Sequence, residues 1–172
     1  MKIFLLGLPG SGKTTLGKEL AMLQNIPFVD LDADIEKSVG MTIKEIFEKK
    51  KEDHFRHIES QQLKKWCGLS NDFVMATGGG TPCFSDNIAV MNLTGKTVFL
   101  DVPAREIARR IMGTTLSERP LFAKTHPESL KDQIEFMRSQ RISFYRQAQH
   151  IFSGMEISAI DMLGRIRKEN QR

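Results

Sequence analysis

The sequence predicts an α/β fold in which a parallel sheet is covered by helices on both faces. Short apolar segments alternate with longer amphipathic ones along the chain, which is typical of strand–helix–strand units. No internal repeat or low-complexity segment interrupts this alternation. The 172 residues, 40% of them apolar, can build one substantial core but not two. A single domain over residues 1–172 is therefore expected.

Five short apolar runs are the strand candidates, each bounded by charged residues, glycine, proline or another turn-forming residue. They lie at Lys2 to Leu6, Pro27 to Asp30, Phe73 to Ala76, Lys96 to Val102 and, with a weaker pattern, His150 to Phe152.

Helical periodicity fills the intervals between the strands. In residues 13–24, Leu16, Leu20 and Leu23 follow one another at spacings of four and three, which predicts one buried stripe. Similar patterns occur at 33–39, 42–50, 52–67, 103–112, 127–149 and 157–169. At about 113–126 the periodicity gives way to Thr, Ser, Pro and charged residues, so we predict a lid there.

Composition argues against several classes of protein. The net charge is +4, but one Trp, one Tyr and no run of five basic residues do not favour nucleic-acid binding. No segment resembles a secretory signal or a membrane span, so a cytoplasmic protein is expected. Cys67 and Cys83 form no metal or redox motif and are expected to be free thiols. No long exposed apolar stripe asks for a partner, and a monomer is expected.

The segment Gly7 to Thr14 matches the pattern G-x-x-x-x-G-K-[ST] between a predicted strand and a predicted helix. Its glycines let backbone N–H groups surround the β-phosphate, and the helix N-terminus adds positive potential. Lys13 supplies charge to the β and γ oxygens, and the Thr14 hydroxyl is a ligand for the Mg²⁺ that bridges them. ATP or GTP binding is predicted.

Nucleotide binding alone does not separate a kinase from a switch GTPase or a mechanical ATPase. The guanine-reading string N-K-x-D is absent from the sequence, and the switch string D-x-x-G occurs only inside the last predicted helix, at 161–164, and not directly after a strand. Mechanical ATPases usually need a longer chain. A small phosphotransferase is the interpretation that remains.

Asp30 and Asp32 close the second predicted strand, at the sheet edge where the phosphate loop is also expected. Asp30 is the candidate for binding Mg²⁺ through water, and Asp32 for orienting an acceptor hydroxyl and accepting its proton. Helix capping is the structural alternative for Asp32, and more so for Asp34.

A glycine triplet and several arginines complete the candidate site. Gly78, Gly79 and Gly80 follow the third predicted strand, where they would let a ligand approach the backbone closely. Arg56 and Arg141 lie in helical patterns and suit a carboxylate, although either could be a surface charge. Arg119, in the predicted lid, could neutralise the transferring phosphoryl group or be an exposed loop residue.

These residues together resemble the shikimate kinase family over nearly the whole chain, apart from its last 25 residues. The resemblance is carried by the Gly7 to Thr15 loop with Leu16-Gly17, Asp30-Leu31-Asp32, Ile46-Phe47, Phe55-Arg56 with Glu59, Gly78-Gly79-Gly80, Arg119-Pro120-Leu121, and Arg141 with Tyr145. It implies a P-loop NTPase fold like that of the nucleoside monophosphate kinases: three layers, a five-stranded parallel sheet, a lid, and an acceptor-binding helical subdomain, here at about 32–60.

The resemblance also implies roles for individual residues. Catalysis is assigned to Asp32, Lys13 and Arg119. Shikimate is expected to contact Asp32, Arg56, Gly79 and Arg141, in a pocket lined by Phe47, Phe55 and Pro120. ATP, with one Mg²⁺ held by Thr14 and through water by Asp30, is expected to contact Gly10, Ser11, Gly12, Lys13, Thr14, Thr15, Arg110 and Arg119.

The sequence departs from the family pattern at three places. The lid is about two residues longer than the shorter lids of the family, Thr81-Pro82 replaces small apolar residues, and 149–158 lacks the basic, proline-bearing loop that contacts adenine in many relatives. The implied reaction is ATP-dependent phosphorylation of the 3-hydroxyl of shikimate, on the route to chorismate and the aromatic amino acids. Alternatives are a kinase of another small hydroxy acid such as gluconate, or a non-catalytic ATP-dependent regulatory module.

Overall fold

A computed structural model describes residues 1–113 and 127–169 of the chain. Its centre is a five-stranded, all-parallel sheet with the strand order β2-β3-β1-β4-β5. The strands are β1 Lys2–Leu6, β2 Phe28–Asp30, β3 Phe73–Ala76, β4 Lys96–Asp101 and β5 His150–Ser153. All five predicted strands are confirmed, with ends shifted by at most one residue.

Seven helices connect and follow the strands within the described residues. They are α1 Lys13–Gln24, α2 Leu31–Val39, α3 Ile43–Gly68, α4 Asn87–Thr94, α5 Ala104–Met112, α6 Pro127–Tyr145 and α7 Ala159–Glu169. A 3₁₀ turn at Thr81–Cys83 precedes α4. None of these helices, within the part of the chain that the structure describes, has the length and hydropathy of a membrane-crossing segment.

Two apolar layers cover the sheet because both side-chain faces of its strands are hydrophobic. In β1, Ile3 and Leu5 pack on the face covered by α1 and α7, whereas Phe4 and Leu6 pack on the opposite face. That second face is covered by residues of α2 to α6. The three-layer architecture predicted from the sequence is confirmed.

Helix α2 begins two residues earlier than the pattern predicts. The Asp30 carboxylate accepts a hydrogen bond from the Ala33 backbone N–H at 3.4 Å, which caps the helix, so Leu31 is already helical. Asp32 therefore lies in the first turn of α2 and not at the end of the strand. The capping alternative proposed for Asp32 and Asp34 is wrong, because Asp30 is the cap.

The break predicted between 42–50 and 52–67 is confirmed as a kink inside α3. Lys51 there has φ 68° and ψ 169°, a left-handed φ that no helix adopts. Helix α4 was not predicted. The predicted lid at about 113–126 lies outside the described residues except for Gly113, and Arg119 and Pro120 lie outside them as well.

Candidate active site

A cavity of about 800 Å³ opens at the carboxyl edge of the sheet, where the loops after β1, β2 and β3 meet. Its wall consists of the phosphate loop and the start of α1 (9–16), Glu19, Asp30, Asp32, the end of β3 with the first glycines (76–79), Val102, Arg110, and residues 155–157. The phosphate loop thus shares one cavity with two of the predicted acceptor residues, Asp32 and Gly79, whereas Arg56 and Arg141 do not belong to its wall.

The phosphate loop has the backbone that the motif requires. Gly7, Gly10 and Gly12 have φ values of 143°, 86° and 97°, which side-chain-bearing residues rarely adopt. Gly12 is the N-cap of α1, so the positive end of that helix faces the cavity. The Lys13 ammonium donates to the carbonyls of Gly7 and Leu8 at 2.9 and 3.0 Å, which holds its charge over the loop.

Thr14 and Asp30 meet beside the phosphate loop. The Thr14 hydroxyl donates to Asp30 Oδ2 at 3.2 Å, although the two residues belong to different elements. A hydroxyl and a carboxylate are the hard oxygen donors that Mg²⁺ prefers. The pair therefore fits a magnesium ion that takes its remaining ligands from nucleotide phosphates and water.

Asp32 is a partly buried carboxylate at the base of the cavity. Burial raises the pKa of its side chain to about 6, and the negative charges of Glu59 and Asp30 act in the same direction. Lys13 and Arg56 oppose this shift. Asp32 is thus ionised at neutral pH but close enough to titration to accept a proton.

The glycine triplet brings the predicted acceptor residues together. A Cβ at Gly78 would lie 2.8 Å from Asp32 Oδ1, one at Gly79 3.0 Å from Arg141 Nη1, and one at Gly80 2.6 Å from the terminal nitrogens of Arg56. A side chain at Gly78 or Gly80 would therefore displace Asp32 or Arg56, and one at Gly79 would press on Arg141 and Pro9.

Three further contacts surround the predicted acceptor residues. The buried Tyr145 hydroxyl donates to the Gly79 carbonyl at 2.6 Å, which ties α6 to the triplet. The rings of Phe47 and Phe55 lie 4.8 Å apart, and Phe55 is buried. The guanidinium of Arg56 lies over the Phe84 ring at 4.3 Å, an aromatic contact that the sequence did not predict.

Arg110 lines the cavity beside the phosphate loop. Its guanidinium donates to the Ser11 and Met155 carbonyls and to Glu106 Oε1. Residues 155–157 face the same space, although no motif marked them in the sequence. These three residues are Met, Glu and Ile, which form no recognisable motif, so only their position after β5 shows that they line the cavity.

Comparison with known proteins gives one consistent result. The sequence model of the family described as shikimate kinase matches residues 9–168. A shikimate kinase from Bacteroides thetaiotaomicron is 42% identical over 157 residues, which is 91% of this chain and 89% of that protein. The crystal structure of shikimate kinase from the same species has a TM-score of 0.90 at 38% identity and covers 100% of this chain and 99% of that one.

A second similar structure is a complex with a small ligand. Shikimate kinase from Acinetobacter baumannii in complex with shikimate has a TM-score of 0.84 at 30% identity and covers 99% of this chain and 92% of that chain.

Proposed function

This chain belongs to the shikimate kinase family, which makes it an ATP-using phosphotransferase, and from that premise we propose the following reaction at its cavity. The γ-phosphoryl group of ATP is transferred to the 3-hydroxyl of shikimate, giving shikimate 3-phosphate and ADP. The observation that carries the proposal is the convergence of Asp32, Arg56 and Arg141 on the glycine triplet, beside the phosphate loop.

On the donor side, the phosphate-loop N–H groups and Lys13 bind the β- and γ-phosphates. Thr14 and, through water, Asp30 would hold Mg²⁺, which would neutralise charge on the phosphate oxygens. Thr15 and the backbone of 10–12 complete the phosphate contacts. Arg110 and residues 155–157 enclose the base, since they line the same cavity and contact each other through the Met155 carbonyl.

On the acceptor side, Arg56 and Arg141 bind the shikimate carboxylate, because paired guanidinium groups match a planar anion. Gly79 leaves room for the ring, and Phe47 and Phe55 support the pocket. Asp32 accepts a hydrogen bond from the 3-hydroxyl, aims its oxygen at the γ-phosphorus, and takes the proton as the new P–O bond forms. Arg119, outside the described residues, is assigned to the transferring phosphoryl group.

The test is an ADP-release assay with Mg²⁺ and ATP, with and without shikimate. We expect ADP only when all three are present, and a product whose NMR spectrum shows phosphate on the 3-oxygen. Gluconate and other hydroxy acids serve as competing acceptors. Tight ATP binding without turnover on any acceptor would instead favour a regulatory module.

The remaining parts of the proposal concern the protein as a whole. We propose one kinase domain over residues 1–172, with an acceptor-binding region at about 32–60 and a lid at about 113–126. We also propose that it acts as a cytoplasmic monomer. Light scattering during size-exclusion chromatography, with and without substrates, tests the monomer.

A further inference from the structure

Thr81 is a buried polar residue directly after the glycine triplet, at a position where the family resemblance predicts a small apolar side chain. It is 0% exposed, and its hydroxyl donates to Glu59 Oε1 at 2.6 Å. Glu59 is also 0% exposed, and its second oxygen accepts from Arg56 Nη1 at 2.8 Å. Thr81 and Arg56 therefore each occupy one oxygen of the same buried carboxylate.

A second chain of hydrogen bonds fixes the backbone of Thr81. The Asn87 amide donates to the Thr81 carbonyl at 3.0 Å, and the Ser60 hydroxyl donates to the Asn87 side-chain oxygen at 2.8 Å. Asn87 and Ser60 are both buried. Because Ser60 follows Glu59 in α3, the two chains of contacts join the 3₁₀ turn to the helix that carries Arg56. A fully paired buried network of this kind is rigid.

The guanidinium of Arg56 has a defined set of partners. Nε and Nη2 donate to Glu52 Oε1 at 3.2 and 3.0 Å, and Nη1 donates to Glu59. A guanidinium has five N–H groups. Two therefore have no acceptor among the described residues, one on each terminal nitrogen, and these terminal nitrogens face Gly80 and its neighbours.

A carboxylate with both oxygens available binds arginine in a bidentate manner, which is the stronger arrangement. In that arrangement Glu59 would draw on both terminal nitrogens of Arg56 and turn them away from the triplet. The Thr81 hydroxyl opposes this by orienting Oε1 toward the 3₁₀ turn, so that Arg56 contacts only Oε2.

We propose that Thr81 is a positioning residue for acceptor recognition: its hydroxyl keeps the Glu59–Arg56 contact monodentate, so that the Arg56 guanidinium stays directed at the acceptor carboxylate. This inference rests on the proposed function, because it assumes that Arg56 binds that carboxylate.

The experiment measures KM for shikimate, KM for ATP and kcat in Thr81→Val, which removes the hydroxyl at nearly constant volume. We expect KM for shikimate to rise about tenfold, the range for losing a hydrogen bond to a charged group. KM for ATP should stay unchanged. Thr81→Ser keeps the hydroxyl and should restore the wild-type KM for shikimate. Thr81→Ala gives the same test if the valine methyl group is not tolerated beside Glu59.

The matched control is Thr97→Val. Thr97 is also 0% exposed and its hydroxyl is hydrogen-bonded to Asn92 and Gln149, but it lies at the amino-terminal end of β4. It should lose stability and leave KM for shikimate unchanged. A Thr81→Val protein that shows only lower stability, or equal rises in both KM values, would overturn the proposal.

Arg56→Lys separates this inference from the function on which it rests. A lysine cannot form the bidentate pair, so adding Thr81→Val to Arg56→Lys should raise KM for shikimate little further. If Arg56→Lys alone leaves that KM unchanged, the proposed role of Arg56 is wrong. If it raises KM while Thr81→Val does not, the role of Arg56 holds and only the positioning role of Thr81 fails.

Discussion

The phosphate loop and the glycine triplet both follow buried parallel strands, but only the phosphate loop has glycines at positive φ. Among the described glycines, positive φ occurs at Gly7, Gly10, Gly12, Gly40 and Gly154. Gly80, by contrast, has φ −92°, which any residue can adopt.

The surroundings of the two segments are also different. A Cβ at Gly12 would come no closer than 3.5 Å to a neighbouring atom, an ordinary contact, whereas one at Gly80 would lie 2.6 to 2.8 Å from the Arg56 guanidinium. Glycine therefore serves backbone conformation at Gly12, both conformation and space at Gly7, where a Cβ would lie 2.8 Å from Ser11 Oγ, and space for a side chain at Gly80. Substitutions in the phosphate loop should therefore impair ATP binding, whereas substitutions in the glycine triplet should impair shikimate binding.

The largest effect is expected where the donor site loses its charge. Lys13→Met should lower kcat by about a thousandfold, because the β and γ oxygens lose their positive partner in a preorganised site. Single-turnover kinetics measure this. Lys18→Met, at an exposed lysine further along α1, is the control and should remain active. Retained activity in Lys13→Met would contradict the phosphate-loop assignment.

One alanine substitution in each glycine segment tests the comparison directly. Gly80→Ala should raise KM for shikimate about a hundredfold through displacement of Arg56, with ATP affinity unchanged. Gly10→Ala should weaken ATP binding, because the loop must leave φ 86°. Calorimetry with each ligand measures both. Equal loss of both ligands in both variants would show that the two segments are not separable.

Asp32→Asn tests the acceptor base. We expect kcat to fall about ten- to hundredfold, with KM for shikimate less affected. In the wild type, kcat/KM for shikimate should decline below about pH 6, where Asp32 becomes protonated. A wild-type profile that is flat between pH 5 and pH 7 would contradict this role, as would unchanged turnover in the variant.

The same variant should alter stability with a defined sign. The pKa of Asp32 rises from 3.8 to about 6 on folding, so the native state binds the proton more tightly than the unfolded state. Ionised Asp32 therefore destabilises the native state, and this loss of stability is absent below pH 4 and complete above pH 6. Asp32→Asn should therefore gain about 1 to 3 kcal/mol relative to the wild type between pH 4 and pH 7. Urea unfolding of the wild type and the variant at pH 4 and at pH 7 measures this difference in stability.

The smallest effect is expected at Gly40, where only backbone conformation, and not steric crowding, requires glycine. Gly40 has φ 71° after α2, and a Cβ there would meet nothing within 4 Å. Gly40→Ala should cost about 1 kcal/mol of stability and leave both KM values unchanged. A change in KM for either substrate would mean that positive φ at a distance also shapes the cavity.

Much of the fold could be predicted because both sheet faces are apolar and the strands are therefore short hydrophobic runs. Helix α4 could not be predicted in this way. It has only eight residues, and although its N-cap, Asp86, is a favoured residue type, the side chain makes no capping hydrogen bond. It is stabilised by packing against α3 and the 3₁₀ turn. The wall at 155–157 was missed for the same reason, since its position depends on β5 and Arg110.

The sequence by itself determined the phosphate-binding part of the proposed donor site, because one continuous segment contains the strand, the loop glycines, Lys13 and Thr14. Only the tertiary structure decided the acceptor site. Its residues, Asp32, Arg56, Gly80 and Arg141, come from different elements. The part played by Glu59 and Thr81 is visible only in two distances, 2.6 Å from the Thr81 hydroxyl to Glu59 Oε1 and 2.8 Å from Arg56 Nη1 to Glu59 Oε2. Backbone conformation is encoded locally, whereas the close approach of side chains from separate helices depends on how those helices pack on the sheet.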